Sequence, residues 1–145
     1  MPILNYTSKI PAEKTAAEIQ QRLVAFGATS IQVDYDNRVP VALSFTLDGL
    51  TKGGRAFHAP FRLPTNAQGV GEAMKRAKLT PSYLRPEHVQ GVAWRILKDW
   101  VEAQLAVMEA GLARPEQILL PFAVAPDGLT VYDHFDADPS RLLSA

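Results

Sequence analysis

The sequence predicts an α+β protein in which a small antiparallel sheet of three to five strands packs against two to three helices. Two consecutive segments, residues 30–36 and 40–48, alternate apolar and polar side chains, the pattern of half-buried strands. Near the N-terminus, apolar residues recur every three or four positions, which indicates an amphipathic helix. Residues 86–111 predict a longer helix that is apolar around most of its circumference. Such a helix lies either at the centre of a fold or under a partner.

The first elements follow from local signals. Residues 3–10 suit a short edge strand, and Pro11 suits the first turn of a helix, where its missing N–H is not needed. Gly27 follows the last apolar residue of that helix and indicates its end. Residues 55–63 then predict a third strand, and Pro60 places that strand at a sheet edge or a bulge.

The second half of the chain is predicted as follows. A short helix passes through Val70 and Met74, and Pro86 is the first residue of the long apolar helix. On this long helix, Arg95–Asp99 and Lys98–Glu102 can form ion pairs across one turn. Residues 118–124 read as a buried strand and residues 129–132 as a returning strand. We expect one domain over residues 1–132 and an acidic, flexible C-terminal tail over residues 133–145.

Composition excludes several classes of protein. The 145 residues suit a single domain, and no residue is cysteine, which excludes disulfides and thiolate nucleophiles. We expect no signal peptide, and no apolar run approaches the roughly 20 residues that cross a bilayer. A cytoplasmic protein without membrane contact is therefore predicted.

The net charge of zero conceals a division along the chain. Residues 52–98 carry nine Lys and Arg against two acids, whereas residues 99–145 carry eight acids against two Arg. The basic middle could form a surface patch for an anionic ligand. Alternatively, the two regions neutralise each other within the fold or across an oligomer contact.

Catalytic and metal-binding patterns are weak, so we expect no enzyme, no metal and no cofactor. There is no Gly-x-Ser-x-Gly elbow, and the three histidines lie in unrelated settings. An enzyme would need a cleft assembled from Asp34, Asp36, His58 or His88. Residues 133–138 could offer metal ligands but lack a calcium-loop glycine, and residues 69–72 lack the Lys and Ser/Thr of a phosphate loop.

The best candidate site is a basic loop and the polar face of the predicted sheet. Arginine offers a planar fork of donors suited to phosphate, and a glycine-rich loop lets backbone N–H groups approach an anion. The simpler alternative is a solvated sheet face without a ligand. The predicted ligand-binding residues are Lys52, Arg55, His58, Arg62, Ser44 and Thr46.

Several stretches resemble a family of small uncharacterised proteins encoded by bacteriophages and prophages. They are residues 92–111 (VAWRILKDWVEAQLAVMEAG), 6–21 (YTSKIPAEKTAAEIQQ), 60–66 (PFRLPTN), 120–122 (LPF) and 126–128 (PDG). The resemblance transfers no catalytic or binding residue. It implies a viral accessory protein in the host cytoplasm, of the kind that supplies anti-defence factors or aids DNA metabolism.

The sequence therefore leaves three functions open. The first is a non-catalytic anti-defence binder that captures a small phosphate-bearing ligand, such as a nucleotide, or blocks a host defence protein. It would form a homo-oligomer through the helix of residues 86–111. The second is a DNA- or RNA-binding accessory protein that uses the whole basic middle, and the third is an enzyme.

Overall fold

The computed structural model describes residues 2–143. A three-stranded antiparallel sheet, in the order β1 (Ser30–Asp36), β2 (Val39–Leu50) and β3 (Ala56–Pro64), forms one layer. The predicted α+β class with a small antiparallel sheet is confirmed. The helices of the described residues are α1 (Ala12–Phe26), α2 (Ala67–Arg76), α3 (Pro86–Glu109), α4 (Pro115–Leu119) and α5 (Val131–Ala137).

The register of the sheet separates an apolar inner face from a polar outer face. Phe45 lies opposite both Ile31 and Phe61, and these inner side chains meet α1 and α3 in the main core. The prediction that Pro60 marks an edge strand is confirmed, because β3 pairs only with β2 along its length. The Pro60 carbonyl accepts a hydrogen bond from Val124 N–H (2.9 Å) at the otherwise open edge.

The long helix α3 lies at the centre of the fold. Trp94 is fully buried, and its indole N–H donates to the Pro40 carbonyl (2.7 Å), whereas Trp100 is half-buried with its edge against Phe122. Val92, Val101 and other apolar side chains of α3 are also buried inside the chain. The fold itself therefore covers this part of the helix, and the homo-oligomer through residues 86–111 stays a prediction. Within residues 2–143, no helix is both long and apolar enough to span a bilayer.

A charged cluster joins α1 to α3. Glu18 accepts from Arg95 (3.0 Å) and also pairs with Lys98 (3.4 Å), which in turn contacts Glu102 (2.9 Å). The predicted Lys98–Glu102 pair is confirmed. The Arg95–Asp99 pair is wrong, because Arg95 reaches Glu18 on the neighbouring helix and Asp99 accepts from the Asn5 amide (2.7 Å).

The N-terminal segment differs from its prediction. Residues 3–10 form a turn and an extended arm instead of an edge strand. Asn5 adopts a left-handed backbone (φ 65°), and Ile3 and Tyr6 pack against the smaller core cluster around Met74. The segment is therefore held by side-chain packing and not by strand pairing with the sheet.

The C-terminal strands were also predicted wrongly. Residues 118–124 pass through the end of α4 and a turn of 3-10 helix, Leu120–Phe122, and pair with β3 only at Ala123. Pro115 provides a helical first turn, so the apolar run continues as helix. Residues 129–132 contribute a single bridge at Thr130 before α5 begins. The predicted boundary between residues 132 and 133 therefore falls inside a helix.

Candidate functional site

The outer face of the sheet holds four of the six predicted ligand-binding residues. Ser44 lies opposite Arg62 in the β2–β3 ladder, and Thr46 lies two positions along β2, opposite Pro60. His58 occupies the same face, opposite Asp48. Alternation along the strands turns all these side chains away from the core.

His58 is engaged by an acid on the neighbouring strand. Its Nδ1 contacts the Asp48 carboxylate, and both side chains are exposed. The predicted basic site thus contains a carboxylate that neutralises part of its charge when His58 is protonated. Nδ1 is therefore occupied, and Nε2 is the ring nitrogen that an anion could approach.

Lys52 and Arg55 lie in the hairpin loop, residues 51–55, that joins β2 to β3. The loop is closed by the N–H of Thr51 donating to the Arg55 carbonyl (2.8 Å), and both basic side chains are exposed. Arg62 lies six positions after the first residue of β3, which is about 20 Å along the strand. One small ligand cannot contact both ends of this ladder, so the predicted set divides into a hairpin part and an Arg62 part.

The Arg62 part continues into a cleft of about 500 Å³ between β3 and the start of α5. We call it the Arg62 cleft; its lining residues are Arg62, Pro121, Phe122, Thr130, Tyr132 and Asp133. Among residues 2–143, the Arg62 guanidinium makes no hydrogen bond and no ion pair. Tyr132 is 54% exposed, so its ring is available to a ligand.

Asp133 is held in place by the N-terminal cap of α5. Its Oδ2 accepts from Thr130 N–H (2.9 Å), while its own N–H donates to the Thr130 hydroxyl oxygen (3.1 Å). The hydrogen bonds from Thr130, with a smaller contribution from the charge of Arg62, lower the pKa of the Asp133 carboxyl below its ordinary value. The carboxylate is therefore ionised at neutral pH, so the cleft contains one fixed negative and one fixed positive charge.

The residues considered for catalysis do not come together. Asp34 lies on β1 opposite Ala42, and His58 lies on β3 about 20 Å further along the sheet. His88 donates from Nε2 to the Tyr6 carbonyl (2.5 Å) at the start of α3. Within the described part of the chain, no serine or threonine hydroxyl is hydrogen-bonded to a histidine.

Residues 133–138 do not assemble metal ligands. His134 pairs with Asp127 (2.8 Å), and Asp138 accepts from Ser140 N–H (3.1 Å) beyond the end of α5. Over residues 2–143, no group of three or more histidine, aspartate or glutamate side chains could hold a metal ion.

Thr130, Tyr132 and Asp133 were missed by the sequence prediction, which placed them in a strand and a tail. The signal that could have found them is Thr130-Val131-Tyr132-Asp133, a hydroxyl residue followed three positions later by an acid, which is the pattern of a capping box. A helix start at this point would have moved these residues out of the predicted strand and the predicted tail.

No protein-family model matches the chain, and no match was found among curated proteins or solved structures. Its function is therefore inferred from the chemistry of the residues described above.

Proposed function

We propose that this chain is a non-catalytic, phage-type accessory protein that captures a small phosphate-bearing ligand, such as a nucleotide, in the Arg62 cleft. The observation that carries the proposal is the guanidinium of Arg62, which is unpaired among residues 2–143 and lies in a cleft that also presents an exposed aromatic ring. The phage type, the host cytoplasm and an anti-defence role rest on the resemblance of the segments quoted above.

The chemistry of the cleft suits such a ligand. A guanidinium can donate two parallel hydrogen bonds to phosphate oxygens, and this geometry is stronger than a single neutral hydrogen bond. Tyr132 offers a flat face on which a nucleobase can stack. A volume of about 500 Å³ lies in the range typical of small-molecule sites.

The proposal is tested with a thermal-shift screen of mononucleotides at two salt concentrations. We expect at least one nucleotide to raise Tm by mass action at both concentrations, and Arg62→Ala to abolish the shift while leaving the Tm of the free protein nearly unchanged. Arg55→Ala is the matched control, because it removes an exposed arginine from the far end of the same ladder, and should keep the shift.

Two results would contradict this assignment. If Arg55→Ala, and not Arg62→Ala, abolishes the shift, the ligand binds at the hairpin. If no nucleotide shifts Tm, nucleotide capture is wrong, and blocking of a host defence protein remains as the anti-defence mechanism.

A second candidate function, DNA or RNA binding, is favoured by exposed basic residues at the end of α2 and in the segment before α3. Lys75, Arg76, Lys78 and Arg85 are all exposed, and none of them pairs with a carboxylate among residues 2–143. Binding to an oligonucleotide through these side chains should weaken steeply with salt, because each phosphate contact releases counterions. Binding in the Arg62 cleft should keep more of its affinity.

A further inference from the structure

The Arg62 cleft holds opposite charges that do not meet. Arg62 and Asp133 line the same cleft, yet no nitrogen–oxygen distance between them falls within the 4.0 Å of an ion pair. The Asp133 carboxylate is engaged instead in the cap of α5, where its Oδ2 accepts from Thr130 N–H (2.9 Å).

The separation leaves an unused partner on each side. The guanidinium of Arg62 has donors for an anion, and the Asp133 carboxylate has acceptor capacity beyond the bond that its Oδ2 accepts from Thr130 N–H. A carboxylate oxygen accepts only from a donor, such as a hydroxyl or an amine. A ligand that spans the cleft must therefore carry an anionic group at one end and a donor group at the other.

The charge of the cleft limits how negative that ligand can be. Arg62 and Asp133 sum to zero, so a single phosphate group already makes the occupied cleft negative. Further phosphates would face the fixed carboxylate, and like charges in a partly enclosed cleft repel.

We propose that Asp133 determines specificity, and that the ligand is a nucleoside monophosphate whose phosphate binds Arg62 and whose sugar hydroxyls donate to Asp133. This inference rests on the proposed function. Tyr132, exposed on the same turn of α5, provides the surface for the base. Oligonucleotides and triphosphates are poorer ligands, because their additional phosphates add negative charge to a cleft in which the charges of Arg62 and Asp133 already sum to zero.

The test compares probes that differ in one group each, by calorimetric titration of the full chain. The probes are the four ribonucleoside 5′-monophosphates, their 2′,3′-dideoxy analogues, the triphosphates, and phenyl phosphate, which has a ring and a phosphate but no hydroxyl. We expect at least one ribonucleoside monophosphate to bind wild-type protein about tenfold or more tighter than its dideoxy analogue and phenyl phosphate. Hydrogen bonds to a charged acceptor are of that strength.

Asp133→Asn is the matched variant. Its amide oxygen can still accept from Thr130 N–H and keep the cap, while an NH₂ group replaces the free carboxylate oxygen. We expect the preference for the ribonucleotide over its dideoxy analogue to fall to about twofold or less, and triphosphate binding to improve. Should this variant fail to fold, the dideoxy comparison in the wild-type protein still decides the matter.

The two proposals fail in different ways. Arg62-dependent binding in which the dideoxy analogue binds as tightly as the ribonucleotide, or in which Asp133→Asn leaves the preference unchanged, overturns the specificity role but not the proposed function. Absence of Arg62-dependent binding by every probe overturns both.

Discussion

At the scale of single residues, Gly91 determines how closely the N-terminal arm approaches α3. A Cβ atom added at this position would lie 2.9 Å from the backbone carbonyl oxygen of Ile10, closer than packed atoms tolerate. Gly91→Ala should gain about 1 kcal/mol in helix propensity but lose more through overpacking against the backbone. We expect a net decrease of about 1 to 2 kcal/mol in the free energy of unfolding, measured by urea titration.

Gly71 in α2 is the matched control for that substitution. An added Cβ there meets only Val89 Cγ1, at an ordinary 3.5 Å. Gly71→Ala should therefore stabilise the protein by up to about 1 kcal/mol. If both alanine variants change the free energy of unfolding in the same direction, the close approach between Gly91 and the Ile10 carbonyl does not determine the effect of Gly91→Ala.

Some residues of the candidate site could be predicted from the sequence, and others could not. Arg62 and Ser44 could be placed on one polar face, because alternation within a strand is a local pattern. The approach of Tyr132 and Asp133 to Arg62 could not be predicted. It joins segments about 70 positions apart in the chain, and nothing in either segment specifies the other.

At the scale of elements, the ion pairs of Glu18 couple α1 to α3. Burial raises the pKa of the Glu18 carboxyl, but hydrogen bonds and charges from Lys98 and Arg95 outweigh it and bring the pKa below its ordinary 4.5. A carboxyl with a lowered pKa in the folded state contributes stability that is present above pH 4.5 and lost as pH falls through the folded pKa.

Glu18→Gln should remove this contribution. We expect the variant to melt below the wild type at pH 7, and the two melting temperatures to converge as the pH falls below the ordinary 4.5 of the carboxyl. Calorimetry across that range measures the difference. A gap in Tm that stays constant down to pH 2.5 would show that Glu18 contributes through packing and not through charge.

The elements that could be predicted are those with a sustained period. Alternation placed β1, β2 and β3, and helical spacing placed α1 and α3, to within a few residues. Residues 118–124 were misassigned because a short apolar run fits a buried strand and a helical turn equally well. The arm at residues 3–10 was misassigned because its packing against the Met74 cluster is tertiary.

At the scale of the whole molecule, the division of charge along the sequence does not survive folding as one basic patch. Arg95 and Lys98 are paired with Glu18, and Arg62 shares its cleft with Asp133 from the acidic end of the chain. Lys98 also pairs with Glu102 of the acidic end (2.9 Å), so the two regions neutralise each other at this contact, whereas anion binding by the basic middle stays a prediction. What remains for a ligand among residues 2–143 is a set of separate positive positions, and one of them, Arg62, lies in a cleft with an exposed tyrosine ring.

Binding of a phosphate-bearing ligand at the Arg62 cleft is tested most directly by mapping the binding surface by NMR. A ribonucleoside 5′-monophosphate is titrated into ¹⁵N-labelled protein, and the backbone amides and the arginine Nε resonances are followed. We predict that the shifts concentrate at Thr130, Tyr132, Asp133 and the Arg62 side chain, while the hairpin at residues 51–55 stays unchanged. Saturable binding with shifts confined to that hairpin, or to any surface that leaves the Arg62 cleft unperturbed, would contradict the claim.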